Sequence, residues 1–292
     1  MKKVTIPEPT DYSNKVYELD YKEVIYNIIE NGSAKKVRGH ETISLFGLHY
    51  EIDFKYMKGR FPLITGRKMF PKNFIAEFLW IMGGGTHIQD LQENEVHIWD
   101  DWADHMGYLG PIYGYQLRMF NGENCDQLEY IKTLLEKEPT SRRMIMTMWN
   151  PLQLKKMALP PCHHTIQFNV NSNKYLDIMV MQRSADVMVG LPYDIALYSV
   201  MMEVFSSMFS YSPGKLIFSI GDAHIYDNHW EGMETYLKTL LYEPPYLEFN
   251  EKYFMKDFND DSRKYMPCNI PFEEIKLTKY KHGPHINFKI AK

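Results

Sequence analysis

A cysteine in a proline-rich loop is the first residue of this sequence whose type and position suggest covalent chemistry. Cys162 follows Pro160 and Pro161 and precedes His163, just before a predicted strand. A thiolate is a strong nucleophile and a neighbouring histidine favours its formation, so this motif is typical of nucleophilic catalysis. Most free cysteines are small buried apolar side chains, and that alternative stays open for this residue taken alone.

A carboxyl group inside an apolar segment is the second candidate for chemistry. Glu77 lies within residues 73–82, which are apolar on nearly all sides and predict a buried helix. Burial of an uncompensated carboxyl group costs free energy and raises its pKa toward the range that proton transfer requires. A glutamate on the one exposed edge of this helix is the alternative.

Three arginines lie in polar contexts that suit a phosphate group. Arg142 and Arg143 precede one predicted strand, and Arg183 ends another, flanked by Gln182 and Ser184. The planar guanidinium fork binds phosphate oxygens in pairs, and a serine hydroxyl adds a donor. A solvated surface charge is the usual role of arginine and is the alternative here.

Two further polar motifs adjoin predicted elements. Asp194 leads into a helix, where helix capping is the structural alternative to a role in binding. His224 and Tyr226 stand two apart after a predicted strand and point the same way if extended, which suits either a sugar hydroxyl or a structural polar pair. Together the motifs favour an enzyme with a phosphate-bearing substrate over a binding module.

The elements that must position these residues follow from the hydrophobic periodicity of the chain. Helices are predicted at 21–30, 73–82, 126–136 and 195–209. Strands are predicted within 42–54, with a bend at Phe46 and Gly47, and at 144–149, 165–170, 175–183 and 216–220, with mixed strands and turns from Ile270 onward. Helices mixed with mainly antiparallel strands indicate an α+β fold, and the lack of repeats and linkers favours one domain over residues 1–292.

Composition argues against several function classes. The 292 residues carry a formal net charge of -4, which gives no general attraction to nucleic acid or to an anionic membrane. The three cysteines lack metal-ligand spacing, and no apolar run reaches the roughly 18–20 residues of a membrane span. The sequence begins without the apolar stretch of a signal peptide, so a cytoplasmic protein is expected.

Taken together and in order, the motifs resemble those of the thymidylate synthase family, from about Ile28 to the last residue. The matching segments are SLFG (44–47), EFLW (77–80), IWDDWAD (98–104), LGPIYG (109–114), SRR (141–143), PCH (161–163), QRSADV (182–187), GLPYDIA (190–196) and GDAHIYDNH (221–229). The resemblance implies a mixed sheet packed with helices, an obligate homodimer formed through the sheets, and catalysis without a metal. It also implies 5,10-methylenetetrahydrofolate as co-substrate and a pyrimidine nucleoside 5′-monophosphate as substrate.

The resemblance also implies a role for each matched residue. Cys162 would attack the pyrimidine C6, so that C5 can attack the methylene carbon of the folate, while Glu77 handles protons through ordered water. Tyr113 and His163 would line the site. The expected nucleotide ligands are Gln182, Arg183, Ser184, Asp186, Asp194, His224 and Tyr226, together with Arg142 and Arg143 of the partner subunit. The expected folate contacts are Trp99, Asp186, Gly190, Leu191, Tyr193 and Ala291. Arg38, one residue out of register with the usual arginine of the phosphate loop, is a further candidate for phosphate binding.

Asp194 is the informative departure from the family pattern, because synthases usually carry asparagine there (GLPFNIA, against GLPYDIA here). An asparagine amide matches the O4 acceptor and N3–H donor of uracil, whereas a carboxylate cannot donate to O4. Cytosine offers an amino group instead, and its N3 can share a proton with the acid. The Asp-bearing branch of the family is the deoxycytidylate hydroxymethylases, mostly phage enzymes, so dCMP hydroxymethylation is the expected reaction.

Three alternatives to that reaction stay open. In the first, Asp194 serves only as a helix cap and the chain carries out ordinary thymidylate synthesis on dUMP. In the second, dCMP is methylated rather than hydroxymethylated. The third is an inactive family member that binds nucleotides or RNA as a regulator, and the retained set of Cys162, Glu77, Arg183 and Asp186 argues against it.

Overall fold

The computed structural model describes residues 16–37, 39–122, 125–253 and 266–290. Within these ranges the α-helices are α1 (Val16–Asn31), α2 (Pro71–Gly83), α3 (Gln89–Gln92), α4 (Tyr113–Arg118), α5 (Gln127–Lys137), α6 (Gly190–Met208) and α7 (Trp230–Leu237). The strands are β1 (Ser33–Val37), β2 (His40–Asp53), β3 (Ile145–Thr147), β4 (His163–Val170), β5 (Tyr175–Asp186), β6 (Ser212–Tyr226), β7 (Tyr246–Glu248) and β8 (Lys276–Thr278). The prediction of an α+β fold is confirmed.

One mixed sheet holds six of these strands in the order β1-β2-β6-β5-β4-β3. Its neighbouring strands are antiparallel, with the exception of β5 and β6, which run parallel. Parallel neighbours need a long crossover, and here the 19-residue helix α6 provides it. The sequence predicted mainly antiparallel strands, and it did not predict the parallel pair at the centre of the sheet. A separate antiparallel pair joins β7 and β8.

One face of the sheet carries the core. Along the middle of β2, β4, β5 and β6 the even-numbered side chains are buried, whereas the odd-numbered ones are half-buried or exposed. This alternation is expected because successive side chains of a strand point to opposite faces. On the buried face α1 packs against β2, α6 packs against β5 and β6, and α2 packs on α6. Large side chains such as Tyr21, Phe168, Phe205 and Phe218 fill the space between these layers.

Three neighbouring residues interrupt the regular strand pairing across the centre of the sheet: Gly47, Gly221 and Arg183. Gly47 has a φ of +82°, which favours glycine. A Cβ added to Gly221 would lie 2.7 Å from the carbonyl oxygen of Arg183, so only glycine permits this close approach of β6 to β5. Beyond these residues the alternation along β5 shifts, because Gln182 and Ala185 are both buried. The side chains at the end of β5 are therefore turned relative to those in its middle.

Several predicted elements differ from the observed ones in their limits. The prediction that a bend at Phe46 and Gly47 separates two strands is wrong. β2 continues through these residues and pairs with β6 in the same register on both sides of them. β6 ends at Tyr226 rather than at residue 220, so His224 and Tyr226 lie within a strand. α6 begins at Gly190 rather than at residue 195, and its first turn contains Pro192, which this part of a helix tolerates.

Candidate active site

A cavity of about 410 Å³ lies where α2, the end of β5 and the first turns of α6 meet. Its size is within the usual range for small-molecule sites, roughly 300–1,000 Å³. The residues that the sequence singled out and that line this cavity are Glu77, Trp99, Tyr113, Cys162, His163, Ser184, Asp186, Gly190, Tyr193 and Asp194. The fold therefore brings together residues from widely separated parts of the chain.

A larger groove of about 640 Å³ lies elsewhere, between α1 and β2. The side chains that line it include four carboxyl groups, those of Asp20, Glu23, Glu30 and Glu51. Carboxylates repel an anionic ligand, so this groove does not suit a phosphate-bearing substrate. The chemistry that the sequence predicted belongs to the smaller cavity.

Cys162 lies at the edge of that cavity, held by groups from two other elements. Its backbone N–H donates to Tyr113 Oη at 2.9 Å. The Arg183 guanidinium donates to the carbonyl oxygens of Pro161 (from Nε, 2.9 Å) and Pro160 (from Nη2, 2.8 Å). The same Nη2 lies 3.6 Å from the cysteine sulfur. The proline carbonyls thus hold the positive charge of Arg183 beside the sulfur, where it stabilises the thiolate form of Cys162.

Glu77 projects from α2 into the cavity, where it is half-buried. Trp99 Nε1 donates to Glu77 Oε1 at 2.8 Å. Burial raises the pKa of Glu77 to about 7, and the hydrogen bond from Trp99 opposes this rise. A carboxyl group with a pKa near neutrality can take up and release protons at physiological pH. Trp99 is itself only 7% exposed and packs against Trp80 and Trp102, which fixes the position of its indole N–H.

Asp194 lies in the second turn of α6 and not at its start. The N-cap position is Val189, which provides no side-chain cap, so the interpretation of Asp194 as a helix cap is wrong. Its carboxyl group faces the cavity instead, where Gln182 Nε2 donates to Oδ2 at 2.6 Å and His163 Nε2 lies 3.7 Å from Oδ1. Burial raises the pKa of Asp194 to about 8, the negative charge of Glu77 adds to the rise, and the Gln182 hydrogen bond opposes it.

His163 is buried between two tyrosines. Its ring stacks on Tyr113 with centroids 4.4 Å apart, and its Nδ1 lies 2.7 Å from the hydroxyl of Tyr198. Burial lowers the pKa of His163 to about 3, with a smaller contribution from His164. The imidazole is therefore neutral at physiological pH, so its contact with Asp194 is a polar contact and not an ion pair.

Asp186 ends β5 and shapes the turn into α6. Its Oδ1 accepts the backbone N–H groups of Met188 at 3.0 Å and Val189 at 3.1 Å. His229 Nδ1 lies 3.6 Å from the same oxygen. The carboxyl group also lines the cavity, where it offers an acceptor to a ligand.

The arginines that the sequence assigned to phosphate binding lie in two places. Arg183 adjoins Cys162, and its neighbour Ser184 lines the cavity. Arg142 and Arg143 are exposed on the loop before β3 and do not line the cavity. Among the described arginines of the predicted set, Arg183 is the one that lies close to the sulfur.

The remaining predicted nucleotide ligands lie outside the cavity lining. His224 and Tyr226 lie two positions apart on β6, with ring centroids 5.0 Å apart and His224 Nδ1 3.3 Å from Asp222 Oδ1. Gln182 is 2% exposed and reaches the cavity through its hydrogen bond to Asp194.

The predicted folate contacts also divide. Gly190 and Tyr193 line the cavity, whereas Leu191 is fully buried in the core. Arg38 and Ala291 lie outside the described residues.

Several cavity residues were missed by the sequence reasoning. Arg67 is 5% exposed, and its guanidinium donates to the Met188 carbonyl at 2.7 Å and lies over the Phe288 ring at 4.9 Å. Residues 285–288 close one side of the cavity. Nothing in the local periodicity indicated these contacts. Behind the cavity lining, the contact of Tyr198 with His163 was also missed, although its spacing of four from Asp194 places both on one face of a helix.

Within the described ranges, the His, Cys, Asp and Glu side chains form no group of three or more that could hold a metal ion. No helix within the same ranges has the length and apolar character needed to cross a membrane.

A nucleophile-bearing loop, two carboxyl groups with raised pKa and a fixed guanidinium around one cavity are typical of an enzyme that works through covalent catalysis. Comparison with known proteins identifies the family. Residues 19–292 match the family model described as Thymidylate synthase. A thymidylate synthase of Brachyspira hyodysenteriae (strain ATCC 49526 / WA1) is 37% identical over 276 residues, which cover 93% of this chain and 99% of that protein.

The chain therefore belongs to the thymidylate synthase family. It is a folate-dependent pyrimidine C5 one-carbon transferase, with 5,10-methylenetetrahydrofolate as its co-substrate. The family binds a nucleoside monophosphate and folate, as the sequence predicted.

Proposed function

We propose that this enzyme transfers a one-carbon unit to C5 of dCMP and releases 5-hydroxymethyl-dCMP and tetrahydrofolate. The observation that carries the proposal is the position of Asp194. Its carboxyl group faces the cavity beside Cys162, where it is held by Gln182. Synthases usually have an asparagine amide at this place, and the carboxyl group changes which base can be paired.

The protonation of Asp194 favours cytosine. With a pKa raised to about 8 by burial, the acid carries a proton at neutral pH. It can pass that proton to N3 of cytosine and accept a hydrogen bond from the 4-amino group with its second oxygen. A protonated ring is more open to attack at C6, so the same contact serves recognition and activation. Uracil already carries hydrogen on N3 and cannot take the proton there.

The other residues of the cavity supply the remaining steps of the proposal. Cys162 Sγ forms a bond to C6, and the electron pair of the C5–C6 double bond becomes available at C5. The Arg183 guanidinium, 3.6 Å from the sulfur, stabilises the thiolate before this bond forms. Glu77, held by Trp99, accepts the proton that leaves C5 and passes it to the tetrahydrofolate nitrogen as its bond to the transferred carbon breaks. As a carboxylate again, Glu77 takes a proton from the water whose oxygen bonds to the transferred carbon, and the bond between Cys162 Sγ and C6 then breaks to release the product.

The cavity also suits the folate. Trp99 and Trp102 line it with indole rings, which offer flat apolar surface to a ring system, and Asp186 offers an acceptor to the pterin. When bound, the folate supplies the one-carbon unit from its methylene carbon. Phe288 and its neighbours near the C-terminus also line the cavity and would bound the space for the folate.

We also propose that the enzyme is a homodimer formed through the sheets. Arg142 and Arg143 are exposed, so in a dimer the two arginines of a second copy could bind a phosphate beside Arg183. The sheet face opposite the core carries half-buried or exposed apolar side chains, which a second copy would cover: Phe46, Ile145, Met179, Met181 and Ile217.

Mixing of inactive variants tests the dimer. The Cys162→Ser subunit lacks the nucleophile, and an Arg142→Ala, Arg143→Ala subunit lacks the donated arginines. If sites are shared, mixing and re-equilibrating the two variants restores activity, at most to about a quarter of wild type because one of four site combinations is intact. Mixtures that stay inactive while exchanging subunits would refute the shared site.

Thymidylate synthesis on dUMP is the second candidate. The 37% identity to a thymidylate synthase along nearly the whole chain favours it. The raised pKa of Asp194 also permits it, because a protonated acid can donate to O4 of uracil while it accepts from N3–H. Methylation of dCMP is the remaining product alternative.

Product analysis decides among these reactions. The enzyme is incubated with dCMP, dUMP or CMP and 5,10-methylenetetrahydrofolate, and the nucleotide is identified by mass spectrometry while absorbance follows dihydrofolate. We expect a hydroxymethyl product from dCMP without dihydrofolate. A methyl product with dihydrofolate would replace hydroxymethylation by methylation, and turnover of dUMP alone would refute the choice of base.

A further inference from the structure

We propose that Tyr198 is a positioning residue that acts through His163 to stabilise the ionised form of Asp194 when cytosine is bound. The inference rests on the proposed function, because it concerns the proton that Asp194 passes to N3. Tyr198 lies on α6, one helical turn beyond Asp194, and its side chain is 1% exposed.

The direction of the hydrogen bond between Tyr198 and His163 follows from its surroundings. His163 Nδ1, at 2.7 Å, is the one hydrogen-bond partner of the Tyr198 hydroxyl among the described residues. A buried hydroxyl hydrogen without an acceptor costs free energy, so the O–H donates to Nδ1 and not the reverse. The neutral imidazole then carries its single hydrogen on Nε2.

That hydrogen points toward Asp194. His163 Nε2 lies 3.7 Å from Asp194 Oδ1, while Gln182 Nε2 donates to Oδ2 at 2.6 Å. The imidazole contact is longer than a hydrogen bond in this state, and closure to about 3 Å on nucleotide binding completes it. Each carboxyl oxygen then has one donor from the protein and one lone pair left for the base.

Donors on both oxygens favour the carboxylate over the acid. With cytosine bound, the O–H bond of Asp194 breaks and an N3–H bond forms, so the carboxylate faces N3–H and the 4-amino group. Its four acceptor positions are then filled by Gln182, His163 and the two base donors. With uracil bound, the acid must keep its proton to donate to O4, and the protein donors oppose that state. Tyr198 therefore favours cytosine by fixing His163 as a donor.

Nuclear magnetic resonance of the free protein tests the first step without any substrate. Long-range 15N spectra distinguish the two imidazole tautomers, and the His163 signals are assigned by their loss in His163→Gln. We expect Nε2 to be protonated and Nδ1 to be unprotonated at neutral pH. Protonation at Nδ1 would overturn the inference, whatever nucleotide the enzyme uses.

Kinetics of Tyr198→Phe test the second step. Loss of one hydrogen bond in the network is expected to lower kcat for dCMP roughly three- to tenfold, with little change in KM and little effect on dUMP turnover. The matched control is Tyr211→Phe, whose hydroxyl donates to the Leu135 carbonyl at 2.7 Å outside the cavity. In an Asp194→Asn background the effect of Tyr198→Phe should vanish.

Equal losses for both nucleotides, or an undiminished effect in the Asp194→Asn background, would show that Tyr198 acts only on the structure. A wild-type preference for dUMP would instead refute the proposed substrate, while the tautomer measurement would still decide whether Tyr198 orients His163. The two failures are therefore distinguishable.

Discussion

The effect of Asp194→Asn on the choice between cytosine and uracil follows from the hydrogen bonds of the Asp194 carboxyl group. Gln182 Nε2 donates to Oδ2 at 2.6 Å, so the amide oxygen of the new residue should take that position. The amide nitrogen then takes the position of Oδ1 and faces the base as a donor. A donor matches O4 of uracil and opposes the 4-amino group of cytosine. The amide also has no proton to give to N3.

The size of the effect follows from the cost of mispaired buried groups, about 1–3 kcal/mol each. The substitution leaves both the 4-amino group and N3 of cytosine mispaired while uracil is fully paired, so the ratio of the two specificities should change by at least about 2 kcal/mol, or roughly 30-fold. The assay compares kcat/KM for dCMP and dUMP in wild type and in Asp194→Asn at one pH.

Asp177→Asn provides the matched control, because the carboxyl group of Asp177 accepts from the Lys215 backbone N–H at 2.9 Å outside the cavity. It should leave the dCMP to dUMP ratio unchanged. If Asp194→Asn keeps the wild-type preference within about threefold, well below the calculated 30-fold, then Asp194 does not read the base.

Three further predictions concern the nucleophile, the proton carriers and the sheet. Cys162→Ser should abolish turnover and keep nucleotide binding, which isothermal titration calorimetry can measure. The profile of kcat/KM for dCMP against pH should rise through about 7 as Glu77 ionises and fall through about 8 as Asp194 loses its proton, measured from pH 5.5 to about 9.5. Gly221→Ala should lower the free energy of unfolding by about 1–3 kcal/mol in urea denaturation, because its Cβ would meet the Arg183 carbonyl oxygen at 2.7 Å.

Each of these predictions has a contrary outcome. Substantial turnover by Cys162→Ser would exclude the covalent step. Because the alkaline limb of the pH profile is assigned to Asp194, its persistence in Asp194→Asn would show that another group causes it. Unchanged stability of Gly221→Ala would show that β5 and β6 can separate at Arg183 without cost.

Local signals in the sequence identified most helices and strands as such. Most differences between the predicted and the observed fold arise from the pairing of strands that are distant in the chain. The strand before α6, the apolar helix and the strand after it were all expected, yet the parallel pairing of β5 with β6 was not. A strand, a long helix and a strand in succession are the usual sign of a parallel crossover, so the signal was present. The register of Gly221 against Arg183 had no such signal, because it depends on residues 38 positions apart in the chain.

The start of α6 shows where the local pattern placed a helix boundary too late. The predicted helix began at residue 195, after Pro192, which left helix capping as the structural alternative for Asp194. Proline is tolerated in the first turn, however, so α6 begins at Gly190. The carboxyl group consequently points into the cavity. The contact of Arg183 with the cysteine sulfur could not be predicted from local sequence patterns, because it joins a strand residue to a residue of a separate loop.

Covalent trapping tests the central claim most directly. The enzyme is incubated with 5-fluoro-dCMP or 5-fluoro-dUMP in separate reactions, each with 5,10-methylenetetrahydrofolate, and the protein is digested and mapped by mass spectrometry. We expect 5-fluoro-dCMP to give a stable adduct on the peptide that contains Cys162, at a rate well above that of 5-fluoro-dUMP. An adduct that forms preferentially with 5-fluoro-dUMP would contradict the reading of cytosine by Asp194, and no adduct with either analogue would contradict the covalent mechanism.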